Sequence, residues 1–271
     1  MRLEKRTKMN VLVMVDIEGI SGIYTKEQVL QDQRRFAEGR KYMTADVNAC
    51  TRGLKAAGVD KVYVYDCHGS SYSLIWDEVS DDADYYICGN TAGKRFPGIA
   101  ECDAVILLGY HSMAGTYHGI LEHSWSSVNI QNVFINEEKV GELAMDAAAA
   151  GEYGKPVIMV SGDDKACEEA KALMPEVVCA EVKKGLNIYG AMLMPPHAAH
   201  ELIYQKSIEA VQNVKNCKPF SFDKPLRCRV EVTERTVLPN IHRAPYAKVL
   251  DGRNFEVVAD TVEELIYRIN I

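Results

Sequence analysis

A mixed, largely parallel α/β sheet covered by helices on both faces, followed by a smaller C-terminal α+β element, is the fold class that this 271-residue sequence predicts. Three observations carry the prediction. Strand-forming runs recur at Met9 to Val15, Lys61 to Asp66, Ala104 to Gly109 and Pro156 to Val160, and a continuous apolar run is the mark of a strand buried on both faces. Segments with helical spacing lie between them, and such alternation builds crossover connections over a parallel sheet. Past residue 190 the pattern changes to a proline-opened helix and alternating strands.

Taken in order, MNVLVMV ends at Asp16 and starts the sheet. After the turn residues Gly19 to Gly22, Lys26 to Ala57 carries apolar residues at helical spacing and Gly58 stops it, so one long crossover helix is expected. The stretch between Asp66 and Ala104 is irregular, with Gly89, Gly93, Pro97 and Gly98. Ser126 to Asn136 predicts a strand pair or a bulged strand, and Glu142 to Tyr153 a compact alanine-rich helix. Asp163 to Met174 is expected to be helical, and Val177 to Val182 a strand. Pro195 and Pro196 open a helix reaching Val214, since proline is tolerated in a first turn. Leu226 to Thr233, Phe255 to Val258 and a helix over Thr261 to Ile269 complete the smaller element. The expected organisation is therefore a tail at 1–8, an α/β domain at 9–190 and an α+β element at 191–271.

A hydrophobic fraction of 47% and a charged fraction of 25% describe an ordinary globular protein. The net charge of -7 argues against a nucleic-acid partner, which needs clustered Lys and Arg. The eight cysteines are scattered without C-x-x-C spacing and are expected to be free thiols in a reducing cytoplasm. The first apolar run is too short for a signal peptide core, and no stretch reaches the roughly 18 apolar residues of a membrane span. A cytoplasmic protein with no membrane partner is expected.

Chemistry-bearing residues fall at the strand ends. Asp16 and Glu18 follow the first strand, His68 the second, and His111 the third. Carboxyl ends of parallel strands converge on one rim, where ligands bind. Glu142 opens the alanine-rich helix, where the N-terminal dipole also favours a carboxylate. Singly, each has a simpler role: Asp16 can cap a turn, and a lone histidine is more often hydrogen-bonded in core or surface. Together, three carboxylates and two histidines suit divalent zinc. Five protein ligands exceed the usual three of one catalytic zinc, and two ions roughly 3.5 to 4 Å apart would use them all.

His118 and His123 lie in a glycine-containing loop over the site, where a histidine without metal contact can serve as general acid, base or nucleophile. His118 is expected to face solvent. His197 and His200 are taken as a helix face, with a metal pair as the weaker alternative. Ser161 or Asp163 is expected to cap the following helix, and Lys183-Lys184-Gly185 to form a solvated turn.

Several long motifs occur in one order: VDIEGISG from Val15, DCHGS from Asp66, LLGYHSMAGT from Leu107, GILEHS from Gly119, INEEKVGELAMDA from Ile135 and VSGDD from Val160. In these the chain resembles the DppA-type D-aminopeptidases, metallopeptidase family M55, over most of its length. The resemblance implies that Asp16, Glu18, His68, His111 and Glu142 are zinc ligands, with Asp16 bridging. It makes His123 the catalytic histidine, as nucleophile or as general acid/base. It also implies a homo-oligomer, a decamer of stacked rings, that admits short peptides. Tyr65 stands where the family often has Asn, and Glu122 where Ser is common, and both bear on the substrate. The resulting expectation is a dinuclear zinc aminopeptidase for D-amino-acid peptides such as D-Ala-D-Ala. Its alternatives are an aminopeptidase for L-, glycyl or other small amide substrates, and a non-catalytic peptide-binding protein linked to oligopeptide transport.

Overall fold

In the computed structural model, residues 8–240 and 242–269 are described. Residues 1–7 of the expected N-terminal tail lie outside them. Strand β1 (Asn10–Val15) pairs in parallel with β2 (Lys61–Asp66) on one side and β4 (Ala104–Tyr110) on the other. With the short edge strand β3 (Tyr85–Ile87), β7 (Val157–Asp163), β8 (Val178–Asn187) and β9 (Gly190–Leu193), they form a seven-stranded sheet in the order β3-β2-β1-β4-β7-β8-β9. All neighbours are parallel except β8 and β9.

Alternation along β1 divides the core in two. Val11, Val13 and Val15 pack with Val47 and Leu54 of helix α1 (Phe36–Ala56) and with Ala199 and Ile203 of α4 (Pro196–Asn213). Leu12 and Met14 point the other way, into a cluster with α2 (Glu142–Glu152) and the second sheet. Helix α3 (Asp164–Leu173) joins that side through Ala170. A period-2 strand covered on both faces thus explains the unbroken hydrophobicity of β1.

The second sheet is antiparallel and five-stranded, in the order β11-β12-β10-β5-β6, built from β5 (Ile130–Ile135), β6 (Glu138–Val140), β10 (Leu226–Val232), β11 (Ala247–Val249) and β12 (Asn254–Ala259). Helix α5 (Val262–Ile269) covers it with Leu265 and Ile266 buried. The sheets therefore divide the chain differently from the boundary expected between 190 and 191. Strand β9 and helix α4 belong to the first sheet, and the β5–β6 hairpin crosses to the second. The hairpin turns on Asn136 and Glu137, both with positive φ (52° and 69°), as a tight two-residue hairpin requires.

The long helix expected from Lys26 starts only at Phe36. Side-chain to backbone bonds win over helix in the first part: Gln28 is buried and holds Tyr24 N and Gly22 O, leaving only a single 3-10 turn at Lys26–Gln28. Strand β3, in the stretch expected to be irregular, is three half-exposed residues paired to the edge of β2.

The β1 and β4 ends touch through glycine. Gly19 N donates to Gly109 O at 2.8 Å, and a Cβ at Gly19 would stand 1.9 Å from Tyr110 O. Gly19→Ala should therefore lower unfolding stability by roughly 1–3 kcal/mol or more, from overpacking against backbone. An unchanged urea midpoint would contradict this close approach.

Candidate metal centre

The register of the three central strands sets the site. Val15 lies opposite both Asp66 and Leu108, so the residues just beyond share one level on the rim. Asp16 N then bonds Leu108 O and Cys67 N bonds Val15 O, both at 2.9 Å. Asp16 and Glu18 come from the loop after β1, His68 from the loop after β2, and His111 directly follows β4. Glu142 enters as the first residue of α2, and His123 from the loop between β4 and β5.

These six side chains meet. His68 Nδ1 lies 3.0 Å from Asp16 Oδ1 and 3.2 Å from Glu18 Oε2. His111 Nε2 lies 3.4 Å from both Asp16 Oδ2 and Glu142 Oε1, and His123 Nε2 lies 3.4 Å from Glu142 Oε1. The two oxygens of Asp16 thus face two different histidines. Two trios, Asp16-Glu18-His68 and His111-His123-Glu142, each bring their ligand-type atoms within 4.8 Å of one another. The His111 and His123 rings stack, with centroids 4.0 Å apart.

Hydrogen bonding fixes how each imidazole is turned. His68 Nε2 is 3.0 Å from Val29 O, His111 Nδ1 is 3.0 Å from Ser112 O, and His123 Nδ1 is 2.9 Å from Leu121 O. A carbonyl only accepts, so each of these ring nitrogens carries its hydrogen. In the neutral tautomer the second nitrogen is a lone pair aimed at carboxylate oxygens, which also only accept. His111 Nε2 and Glu18 Oε2 are buried with no hydrogen-bond partner among the described residues. Something positive must stand between these atoms. A divalent cation with N and O ligands fits, and the backbone carbonyls are the outer partners that ligating histidines use.

The titration behaviour agrees. Burial alone would lower the His68 and His111 pKa values, but Glu18 and Asp16 around the first and Glu142 and Asp16 around the second hold them well above the usual imidazole range. Burial would raise Glu18 and Glu142. The charge of His68 outweighs it at Glu18, which falls well below the carboxylate range, and His111 does the same at Glu142, which is held at about 2. Ligation requires deprotonated imidazoles, so a metal bound here would displace the protons that these carboxylates favour.

A model of the D-aminopeptidase family, peptidase family M55, matches residues 9–271. The chain belongs to this family. A D-aminopeptidase of Bacillus subtilis (strain 168) is 32% identical over 260 residues, covering 94% of this chain and 90% of that protein. A solved structure from Bacillus subtilis, described as the Zn-dependent D-aminopeptidase DppA, a self-compartmentalizing protease, aligns with a TM-score of 0.85 at 28% identity, over 96% of this chain and 95% of the other. The resemblance carried by the ordered motifs is borne out, as is the mixed, largely parallel fold.

Within this M55 chain the remaining candidates separate clearly. His118 is exposed, with φ of 64°, and stacks on Tyr117. His197 is exposed, whereas His200 Nε2 lies 3.4 Å from the buried Asp46, so the two form no metal pair. Asp163 caps α3 by accepting from Ala166 N at 2.8 Å, and its other oxygen accepts from Ile120 N at 2.8 Å, tying the His123 loop to the sheet. Glu122 lines the cleft in front of the centre, while Tyr65 lines a separate depression with Arg95 and Trp125.

Lys183 is a correction. It is no solvated turn residue but a buried member of β8, whose ammonium donates to Glu18 O at 2.6 Å, Ile20 O at 2.9 Å and Ile23 O at 2.8 Å. An irregularity in the β7–β8 pairing turns Val182 and Lys183 inward together. Burial pulls its pKa down to about 8, opposed by Asp163 and Asp46. The sequence gives no local sign of this clamp, nor of the pair between Arg95 and the buried Asp146 at 2.6 Å, which Tyr110 joins and whose guanidinium stacks on the Trp125 ring. Trp125 N in turn donates to Glu142 Oε1 at 2.7 Å.

Glu169 of α3 accepts from Met113 N at 2.8 Å, and burial pushes its carboxyl up to about 7. A raised carboxyl pKa contributes stability that is complete below the unfolded value, near 4.5, and is lost as pH rises through 7. Glu169→Gln keeps an acceptor and removes the titration. Its stability relative to the parent should therefore rise by about 3 kcal/mol between pH 4.5 and pH 8. Denaturant curves at the two pH values check this, and parallel shifts would refute it.

Proposed function

We propose that this chain is a zinc-dependent aminopeptidase that releases the N-terminal residue of short peptides, with D-amino-acid peptides such as D-Ala-D-Ala as its substrates. The observation that carries the reading is the shared arrangement of the three histidines, each spending one N–H on a carbonyl and turning the other nitrogen to carboxylates. Asp16, Glu18 and His68 would hold one ion. His111, Glu142 and the second oxygen of Asp16 would hold another, with Asp16 between them. The zinc dependence and D-aminopeptidase activity named for the relatives support metal and substrate alike.

Zinc in such a centre supplies Lewis-acid polarisation of the scissile carbonyl and acidifies water. The chain's own groups do the rest. His123 is held by Leu121 O at Nδ1, which leaves Nε2 to take and return a proton. Its side chain is 15% exposed and lines the cleft, whereas His111 is 1% exposed behind it. That difference favours a substrate-facing role for His123 and a ligating role for His111. Glu18 and Glu142, held ionised far below neutral pH, keep the negative charge that a cation pair needs.

Free cysteines at all eight positions support the reducing cytoplasm as its compartment. No helix among the described residues is long and apolar enough to cross a membrane. Exposed Leu186, Met192 and Leu193 on the β8–β9 hairpin, with the relative's self-compartmentalizing assembly, support a ring-stacked homo-oligomer.

Metal analysis with a dipeptide panel tests the reading. The parent should hold about two zinc ions per chain, release D-alanine from D-Ala-D-Ala and leave L-Ala-L-Ala intact. Asp16→Ala should lose both ions and Glu18→Ala one. His123→Ala should keep both ions while its kcat falls by about 100-fold or more. Loss of an ion in His123→Ala would make it a ligand instead, and binding without release in the parent would make the chain a peptide-binding protein.

A further inference from the structure

The cleft in front of the centre, about 190 Å³, is walled by the carboxylates of Glu18 and Glu122 and by His123. Lys26 is the single lysine or arginine along its described wall. Its ammonium has no ion pair or hydrogen bond among the described residues, and lies 5.6 Å from the ring centroid of Tyr189. A cation held near an aromatic face is less hydrated than one in bulk water, and so is readier to pair.

Its backbone is tied to the centre. Lys26 O accepts from both Val29 N and Leu30 N at 3.2 Å, and Val29 O in turn receives His68 Nε2 at 3.0 Å. The short turn that orients His68 thus also sets where Lys26 enters the cleft. Lys183, the other lysine near this loop, is fully committed to three carbonyls and is not available to a ligand.

We infer that Lys26 binds the C-terminal carboxylate of a dipeptide whose first residue lies at the Asp16–His123 cluster. The inference rests on the aminopeptidase reading and narrows it to dipeptides with a free acid end. An extended dipeptide is only ~7 Å long, so its negative end stays close to the residues that line the cleft. Lys139 lies near Gly115 and Glu122 but is not among the side chains lining the cleft, which leaves Lys26 as the cation along its wall. The flexible four-carbon stem lets the ammonium follow the carboxylate, and a charged hydrogen bond of this kind is worth about tenfold in affinity.

The experiment compares kcat/KM for D-Ala-D-Ala with that for D-Ala-D-Ala amide, which has the same free amine and no negative end, on the zinc-loaded full chain. The parent should favour the acid by about tenfold or more. Lys26→Met and Lys26→Gln should bring the ratio to near one, and Lys26→Arg should restore most of the preference. An unchanged ratio in the neutral variants would overturn the inference. So would an equal loss on both substrates in both variants, which would mean that Lys26 acts only through the turn behind His68. A parent that cleaves both peptides equally removes the role of Lys26 alone, whereas a parent that cleaves neither removes the D-alanyl-peptide reading on which the inference rests.

Discussion

Val15 stands opposite Asp66 and Leu108 at once, and this shared register of three parallel strands is what the centre depends on. A slip of one residue in β1 would turn Leu12 and Met14 toward α1 and bury the wrong set on each face. It would also lift Asp16 away from the level of His68 and His111. The glycine contacts between Gly19 and Gly109 lock the level from the loop side, because only a chain without Cβ can approach that closely. Core packing and site geometry are therefore fixed by the same pairing.

That pairing has an electrostatic cost. Three carboxylates converge at one rim with little water to screen them, and buried charges are tolerated only when paired. The chain answers with histidines whose outer nitrogens are committed to backbone carbonyls, so their inner nitrogens are available where negative charge gathers. Stabilisation of the cluster is thus assigned to an exchangeable cation, proton or metal, and not to a permanent arginine. The permanent cation nearby, Arg95, is spent on Asp146, against the ring of Trp125, whose amide steadies Glu142.

The loops over the rim are held by buried polar groups reaching from the sheet and from α1. Lys183 gathers three carbonyls of the segment after Glu18, Asp46 holds Ser21 by amide and hydroxyl at 2.8 and 2.6 Å, and Asp163 holds Ile120. Loops pinned in this way can position ligands with the precision of a strand end. They also leave the cleft wall, with Glu122 and Lys26, free to address a substrate.

The sequence by itself determined the alternation of strands and helices, and so the strand-end placement of Asp16, Glu18, His68 and His111. It did so because hydrophobic period and turn chemistry are local. Its ordered motifs determined the family. Tertiary structure alone decided the rest. Lys183 reads as a solvated turn until an irregular strand pairing buries it, and Lys26 reads as the start of a helix until Gln28 bonds its own loop. The β5–β6 hairpin joins strands nearly a hundred residues away, which no composition change near residue 190 could announce. Asp16 faces two histidines from separate strands because of register, and register is a property of pairs of segments that no single segment contains.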